Sequence, residues 1–202
     1  RLIEGLIQRV WKEVSGVEIP TPFPRVPFRE AMETYGVDKP DRRYGMKLTD
    51  FTEVFRGSTF KVFQSAVAAG GVVKAFNAKG LACITAGQIE DLTNLAKAHG
   101  AKGLAWIKVE QGEWKSPIVK FFNEGEKKAL TEKLAVEEGY LLHFGADQWL
   151  AACEVLGFVR IRCAEYLEKL GKLTLDAKKL DFHWVVDFPL LRKDPEHPAL
   201  VA

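Results

Sequence analysis

The sequence contains no apolar run near the ~20 residues that a membrane-crossing helix needs. The longest candidate, Val62 to Val73, is broken by Gln64, Ser65 and the pair Gly70-Gly71. Cysteine is scarce. Cys83, Cys153 and Cys163 are odd in number, and no two stand in C-x-x-C spacing. That excludes a disulfide framework and a zinc ribbon, and it points to reduced thiols in the cytoplasm. An excess of one charge is missing as well. There are 29 basic and 27 acidic residues, a formal net charge of +2. A dedicated nucleic-acid binder usually carries a clustered basic excess, so a nucleic-acid contact would rest mainly on another part of a larger protein. No P-loop, G-x-G-x-x-G, G-x-S-x-G elbow or H-E-x-x-H is present, and neither is an internal repeat or a low-complexity stretch. The first residues do not read as a secretory leader, because Arg1, Glu4 and Arg9 are charged within an amphipathic repeat.

What remains is an ordinary globular chain. It has 202 residues, 47% apolar and 28% charged. That length fits one large domain, or a medium domain with extra pieces, and it buries a sizeable core without staples. Leu2, Ile3, Leu6, Ile7, Val10, Trp11 and Val14 recur at helical spacing from the first residue on, with no capping residue before them. This and the polar, Pro-containing tail after Lys193 suggest a segment cut from something longer.

The coarse elements follow from spacing and punctuation. A first helix runs from about residue 2 to Val14. Pro20, Pro22, Pro24 and Pro27 then lock an extended connector whose Ile19, Phe23, Val26 and Phe28 need a surface to lie on. A short helix, Arg29 to Tyr35, ends at Gly36. Strands are expected at Met46 to Phe51, Phe60 to Val67, Gly71 to Phe76, Leu104 to Glu110, Tyr140 to Ala146 and Phe182 to Phe188. Thr85 and Gln88 form a capping box for a helix that Gly100 closes. Ser116-Pro117 opens a short helix, Glu126 to Leu134 is another, and Asp147 caps a long one to about Leu170. Strands and helices mix without strict alternation. The fold class is therefore α+β: a mainly antiparallel sheet of four or more strands, with helices on one face.

Candidate chemistry is sparse. Asp181, His183 and Asp187 share a face if the last strand alternates regularly, and an Asp two residues from a His can orient it for proton transfer. No nucleophile accompanies them, so a half-solvated strand with Phe182, Trp184, Val186 and Phe188 buried is the plainer reading. Arg42 and Arg43, with Lys39 and Lys47, make a small basic cluster that suits either phosphate or a solvated turn. His99 sits at a helix C-terminus, where a cation suits the dipole. His143 lies within a strand, where a hydrogen-bonded or surface-facing ring is expected. His197 falls in the tail. Phe60, Phe63, Phe121 and Phe122 read as core rather than as base-stacking platforms. Cys153 and Cys163 lie roughly 15 Å apart along one helix and cannot bond to each other.

Three stretches carry a family resemblance. Residues Phe28 to Gly45, FREAMETYGVDKPDRRYG, resemble Y-x-E-A-M-x-x-Y-G-S-D-K-P-D-L-R-F-G of bacterial-type aspartyl-tRNA synthetases. Gly100 to Val109 resembles that family's GAKGLAWIKV, and His183 to Leu190 resembles its LWVVDFPL. Val37 and Arg42 depart from the usual Ser and Leu, and the tail after Leu191 diverges most. The resemblance implies an inserted GAD domain at residues 46–170, flanked by pieces of a class II catalytic fold at 1–45 and 171–202. It implies ATP, magnesium, tRNA and a homodimeric parent enzyme in the cytoplasm, with an amidotransferase as a further contact. Phe28-Arg29-Glu30-Ala31 mimics the ATP-clamping F-R-x-E but lacks its Glu. Motif 1, motif 2, the H-H-P-F-T loop and the motif 3 arginine have no matching positions. No catalytic, cofactor-binding or metal residue is therefore carried over, and the chain alone is expected to be inactive. A free-standing GAD-type binding module in tRNA-dependent amidation is the alternative, and a hydrolase built on Asp181, His183 and Asp187 is a third reading.

Overall fold

A computed structural model of the chain describes residues 2–176, 179–193 and 200–201. Along the chain run α1 (Leu2–Ser15), β1 (Arg25–Pro27), α2 (Phe28–Tyr35), β2 (Thr49–Asp50), α3 (Thr52–Phe55), α4 (Lys61–Ala68), β3 (Val72–Ala78) and α5 (Ala86–Ala98). Then follow β4 (Ala105–Glu110), β5 (Glu113–Lys115), α6 (Glu124–Leu134), β6 (Leu141–Asp147), α7 (Trp149–Lys169), β7 (Trp184–Val186), β8 (Arg192–Lys193) and β9 (Leu200–Val201). The contacts divide the chain into two compact units, Arg1–Ala31 with Asp176–Ala202, and Met32–Leu175. The expected tail residue His197 lies outside the described residues.

In the first unit the proline-locked connector ends in β1, which pairs parallel with β7 through Arg25↔Trp184, Val26↔Val185 and Pro27↔Val186. Proline donates no amide and is tolerated at such a short edge. Phe182 stacks on Phe23 at 5.4 Å and meets Trp11 edge-on at 5.6 Å. The Glu4 carboxylate is buried, accepting from the Trp184 indole at 2.7 Å and from the Phe23 amide at 3.3 Å. These donors stabilise the ionised form, so the carboxyl titrates below its usual range, with the indole as the largest cause. The strands β8 and β9 pair antiparallel with each other.

The second unit is built on a five-stranded sheet of order β2-β3-β6-β4-β5, antiparallel at every pairing. This is the expected α+β class. The expectation of helices on one face is corrected: both faces are covered. Phe76, Ala78 and Leu141 pack with Leu92 of α5 and Leu156 of α7, whereas Val73, Ala75, Leu142 and Phe144 pack with Phe55 of α3, Phe63 of α4 and Leu130 of α6. The physical reason is legible in hindsight. Every residue of Val73–Ala78 and Leu141–Gly145 is buried, and a strand buried on both sides needs two layers over it.

Two elements depart from expectation. Phe60 to Val67 forms helix α4 rather than a strand. Phe63 is 1% exposed while its neighbour Val62 is 56% exposed, which a run of eight residues leaves open between periods 2 and 3.6. The expected strand Met46 to Phe51 shrinks to Thr49–Asp50: Met46 takes a left-handed φ of 46°, and the Leu48 amide donates to the Thr34 carbonyl rather than to the sheet. Other expectations hold. Thr85 and Gln88 make the capping box of α5, and Gln111-Gly112, both at positive φ, turn β4 into β5 as a two-residue hairpin. A second capping box, Asn123 with Glu126, starts α6 two residues earlier than the sequence suggested.

Candidate functional site

Three clusters of the second unit carry polar chemistry. The segment after α2 folds as a 3₁₀ turn at Arg42–Tyr44, capped by the Asp41 carboxylate, which accepts from the Arg43 amide at 2.9 Å. The same carboxylate takes the Arg43 guanidinium in two-pronged fashion, Nε at 3.0 Å from Oδ1 and Nη2 at 2.6 Å from Oδ2. Arg43 is thus engaged internally, while Lys39 and Lys47 are exposed.

Beneath this turn sits Arg160 of α7, fully buried. Its Nη2 donates to the carbonyls of Asp41 at 2.6 Å and Gly45 at 3.1 Å, and Nε donates to Gly45 at 3.2 Å. The guanidinium carbon lies 5.0 Å from the Tyr35 ring and 5.3 Å from the Tyr44 ring. Charge-assisted bonds to carbonyls and two aromatic faces hold the charge in a dry place. Burial lowers the guanidinium pKa. One turn before it, Gly157 touches Gly36. A Cβ at Gly157 would stand 2.3 Å from the Gly36 carbonyl oxygen, and one at Gly36 would stand 2.2 Å from the Cys153 oxygen. Glycine is needed at both positions, and Gly36 also takes a φ of 73°. Sequence reasoning missed both contacts, since nothing near Arg160 marks it as a partner of residues 41–45.

His143 is corrected. It is not surface-facing: the ring is fully buried beside Phe76, centroids 5.3 Å apart, and neither nitrogen has a hydrogen-bond partner among the described residues. Burial alone pushes its pKa down to about 3, so it is neutral at physiological pH. The thiols of Cys153 and Cys163 are buried and form no disulfide among the described residues. Burial raises Cys153 to about 11 and Cys163 further, which keeps both as inert thiols. His99 ends α5, as expected, and stacks on Phe158 with ring centroids 3.5 Å apart. Phe63 and Phe122 are core, while Phe60 is half-buried and stacks on the more exposed Phe121 at 5.4 Å.

In the first unit, His183 Nδ1 lies 3.0 Å from the Asp181 carbonyl oxygen and 3.7 Å from its carboxylate. Regular alternation stops at Val186, because Asp187 turns into left-handed space with a φ of 58°. The shared face expected for Asp181, His183 and Asp187 is therefore not formed. Trp184 and Val186 are half-buried rather than buried, and Phe188 is 51% exposed.

Among the described residues no three His, Cys, Asp or Glu side chains gather to hold a metal ion. No helix is long and apolar enough to cross a membrane. Two clefts open on the second unit. One, about 570 Å³, lies between α4 and α7 beside the end of β6. The other, about 460 Å³, lies between α5 and the β4–β5 hairpin, with Trp106 and Lys108 on its floor.

The GAD domain family model matches residues 63–156. Over 201 residues, all of this chain, the sequence is 55% identical to an aspartate–tRNA(Asp/Asn) ligase of Opitutus terrae, of which it covers 34%. It is 46% identical to the ligase of the same name from Aquifex aeolicus, over 98% of this chain and 32% of that protein. The counterpart from Heliobacterium modesticaldum is also 46% identical, over 96% of this chain and 31% of its own length. The chain thus spans about a third of the length of the curated relatives it matches. Residues 63–156 are thus similar to a GAD domain, and the chain as a whole is similar to one third of these aspartate–tRNA(Asp/Asn) ligases.

Proposed function

We propose that this chain serves the ATP-dependent attachment of aspartate to tRNA as a structural and interaction part that holds no active-site group itself. The observation that carries the reading is the 55% identity along the whole chain to one third of such a ligase. Residues 46–170 act as an insert on this reading, with 1–45 and 171–202 leading into and out of a catalytic fold. The family match at 63–156 and the pairing of residues 25–27 with 184–186 support that division, since the two flanks meet in one unit. ATP and magnesium bind to groups outside these residues. tRNA is the partner of the assembled enzyme, which works as a homodimer in the cytoplasm, and an amidotransferase is a further contact.

The near-balanced charge supports a weak, salt-sensitive tRNA contact by the chain alone. Two observations test the reading together. The coding sequence around residue 1 and residue 202 is expected to encode F-R-x-E upstream and G-x-G-x-x-R downstream. Filter binding of tRNA to the isolated chain is expected to fade between low and physiological salt. A start codon directly at residue 1 with a stop codon after residue 202, or tight salt-resistant tRNA binding, would overturn it.

A further inference from the structure

Strand β6 is paired unevenly on its two sides. Towards β3 the ladder runs the full length, to Val72↔Asp147. Towards β4 it stops at Ala105↔Phe144. The Val109 amide donates to the Tyr140 carbonyl, which fixes the alternation: the backbone groups of Tyr140, Leu142, Phe144 and Ala146 point to the β4 side. The N–H and C=O of Ala146 therefore face a place where no β4 residue stands opposite. That place is the 570 Å³ cleft, whose far wall is the divergent segment Ala101–Leu104.

The walls are mainly apolar. Ala66 and Ala69 of the α4 end lie on one side, and Ala151 and Ala152 of α7 on the other. The Gln148 amide donates to the Ala69 carbonyl at 3.2 Å and ties the two helices at one end. The charged lining residues are Lys102 and Asp147, which cancel. A neutral, apolar slot does not attract a polyanion. An amide and carbonyl in β register with no ladder partner among the described residues, between apolar walls, match one ligand chemistry: a neutral peptide backbone in extended form.

We infer that this cleft docks an extended, uncharged peptide segment of a partner protein, which joins the sheet as a short added strand beside Ala146. The added strand continues the β4 side of the ladder where β4 itself diverges. Its alternate side chains enter the slot towards α4 and the slot towards α7. Apolar β-forming residues suit both slots, because Ala66 and Phe60 line the cleft towards α4 and Ala152 and Val155 line it towards α7. This inference goes beyond the ligase reading and does not depend on it.

The test is an amide NMR titration of the isotope-labelled chain. The probes are three capped heptapeptides that alternate Val with Ala, Val with Thr, and Ile with Ser. At least one is expected to shift the Ala146, Ala66 and Ala152 amides with a Kd of about 1 mM or tighter. N-methylation of that peptide's central amides is expected to weaken binding by about tenfold. The exposed substitution Ala69→Trp fills the slot and is expected to abolish the shifts. No shift with any of the three peptides would overturn the inference. Equal binding of the N-methylated peptide, or displacement of the peptide by a single-stranded RNA oligonucleotide from the same amides, would overturn it too. A tRNA-binding result bears only on the ligase reading, so the two can fail separately.

Discussion

On one face of the sheet, α5 and α7 lie over Phe76, Ala78, Leu141 and the neutral His143. On the other, α3, α4 and α6 close over Val73, Ala75, Leu142 and Phe144. The second face is filled by rings: Phe55 lies 4.8 Å from Phe63, 5.0 Å from Phe122, 6.2 Å from Phe51 and 6.3 Å from Phe144. The α7 face works by close approach. Gly145 lets Leu156 descend onto β6, and Gly157 lets Gly36 meet the helix backbone. One face is therefore sensitive to losing volume and the other to gaining it, and the α7 face buries the His143 ring with no hydrogen-bond partner among the described residues.

The largest expected effect breaks the ring cluster. Phe55→Ala removes a fully buried ring and leaves a cavity, so chemical denaturation should show a loss of about 3–5 kcal/mol. Next comes acid sensitivity on the opposite face. The folded-state pKa of His143, about 3, is below the unfolded value of 6.5. The unfolded chain therefore binds the extra proton between those pH values. The stability this ring confers is complete above about pH 6.5 and drains away as pH falls towards 3. At pH 4 the loss should be about 3 kcal/mol, and His143→Leu should flatten that part of the stability–pH curve. Denaturation curves at several pH values check it; an unchanged slope in the variant would contradict it.

Gly157→Ala sharpens the comparison from the other direction. The added methyl meets the Gly36 carbonyl, which is backbone and cannot turn aside, so a loss of about 1–3 kcal/mol is expected. An equal methyl at Gly103, which meets nothing within 4 Å, should change little. The smallest effects should not distinguish the faces. Thr85→Ala at the start of α5 and Asn123→Ala at the start of α6 each remove one half of a capping box, for about 1 kcal/mol apiece. A much larger loss at one of them would mean that the cap also packs.

Local signals in the sequence were read well where chemistry and position coincide. Thr85-x-x-Gln88, the Gln111-Gly112 turn, the proline-locked connector and Gly100 each state their conformation within a few residues. Phe60 to Val67 did not, because eight residues with five apolar ones satisfy two periods, and only the burial of Phe63 against Phe55 decides between them. The two-sided cover of β3 and β6 is not legible, because Lys74, Asn77 and His143 interrupt the apolar residues of both strands. Arg160 and the Gly36–Gly157 contact were out of reach, since each joins positions more than a hundred residues apart with no pattern in either. The family motifs were legible because they are long and ordered, whereas the cleft beside Ala146 exists only through the register of β4 on β6.

The most direct test of the central claim is aspartate-dependent ATP–pyrophosphate exchange by the purified 202-residue chain, run beside a full-length ligase of the family. The expected result is exchange by the full-length enzyme and none by the chain, at any magnesium concentration. Exchange by the chain alone, abolished by substitutions within it, would contradict the account.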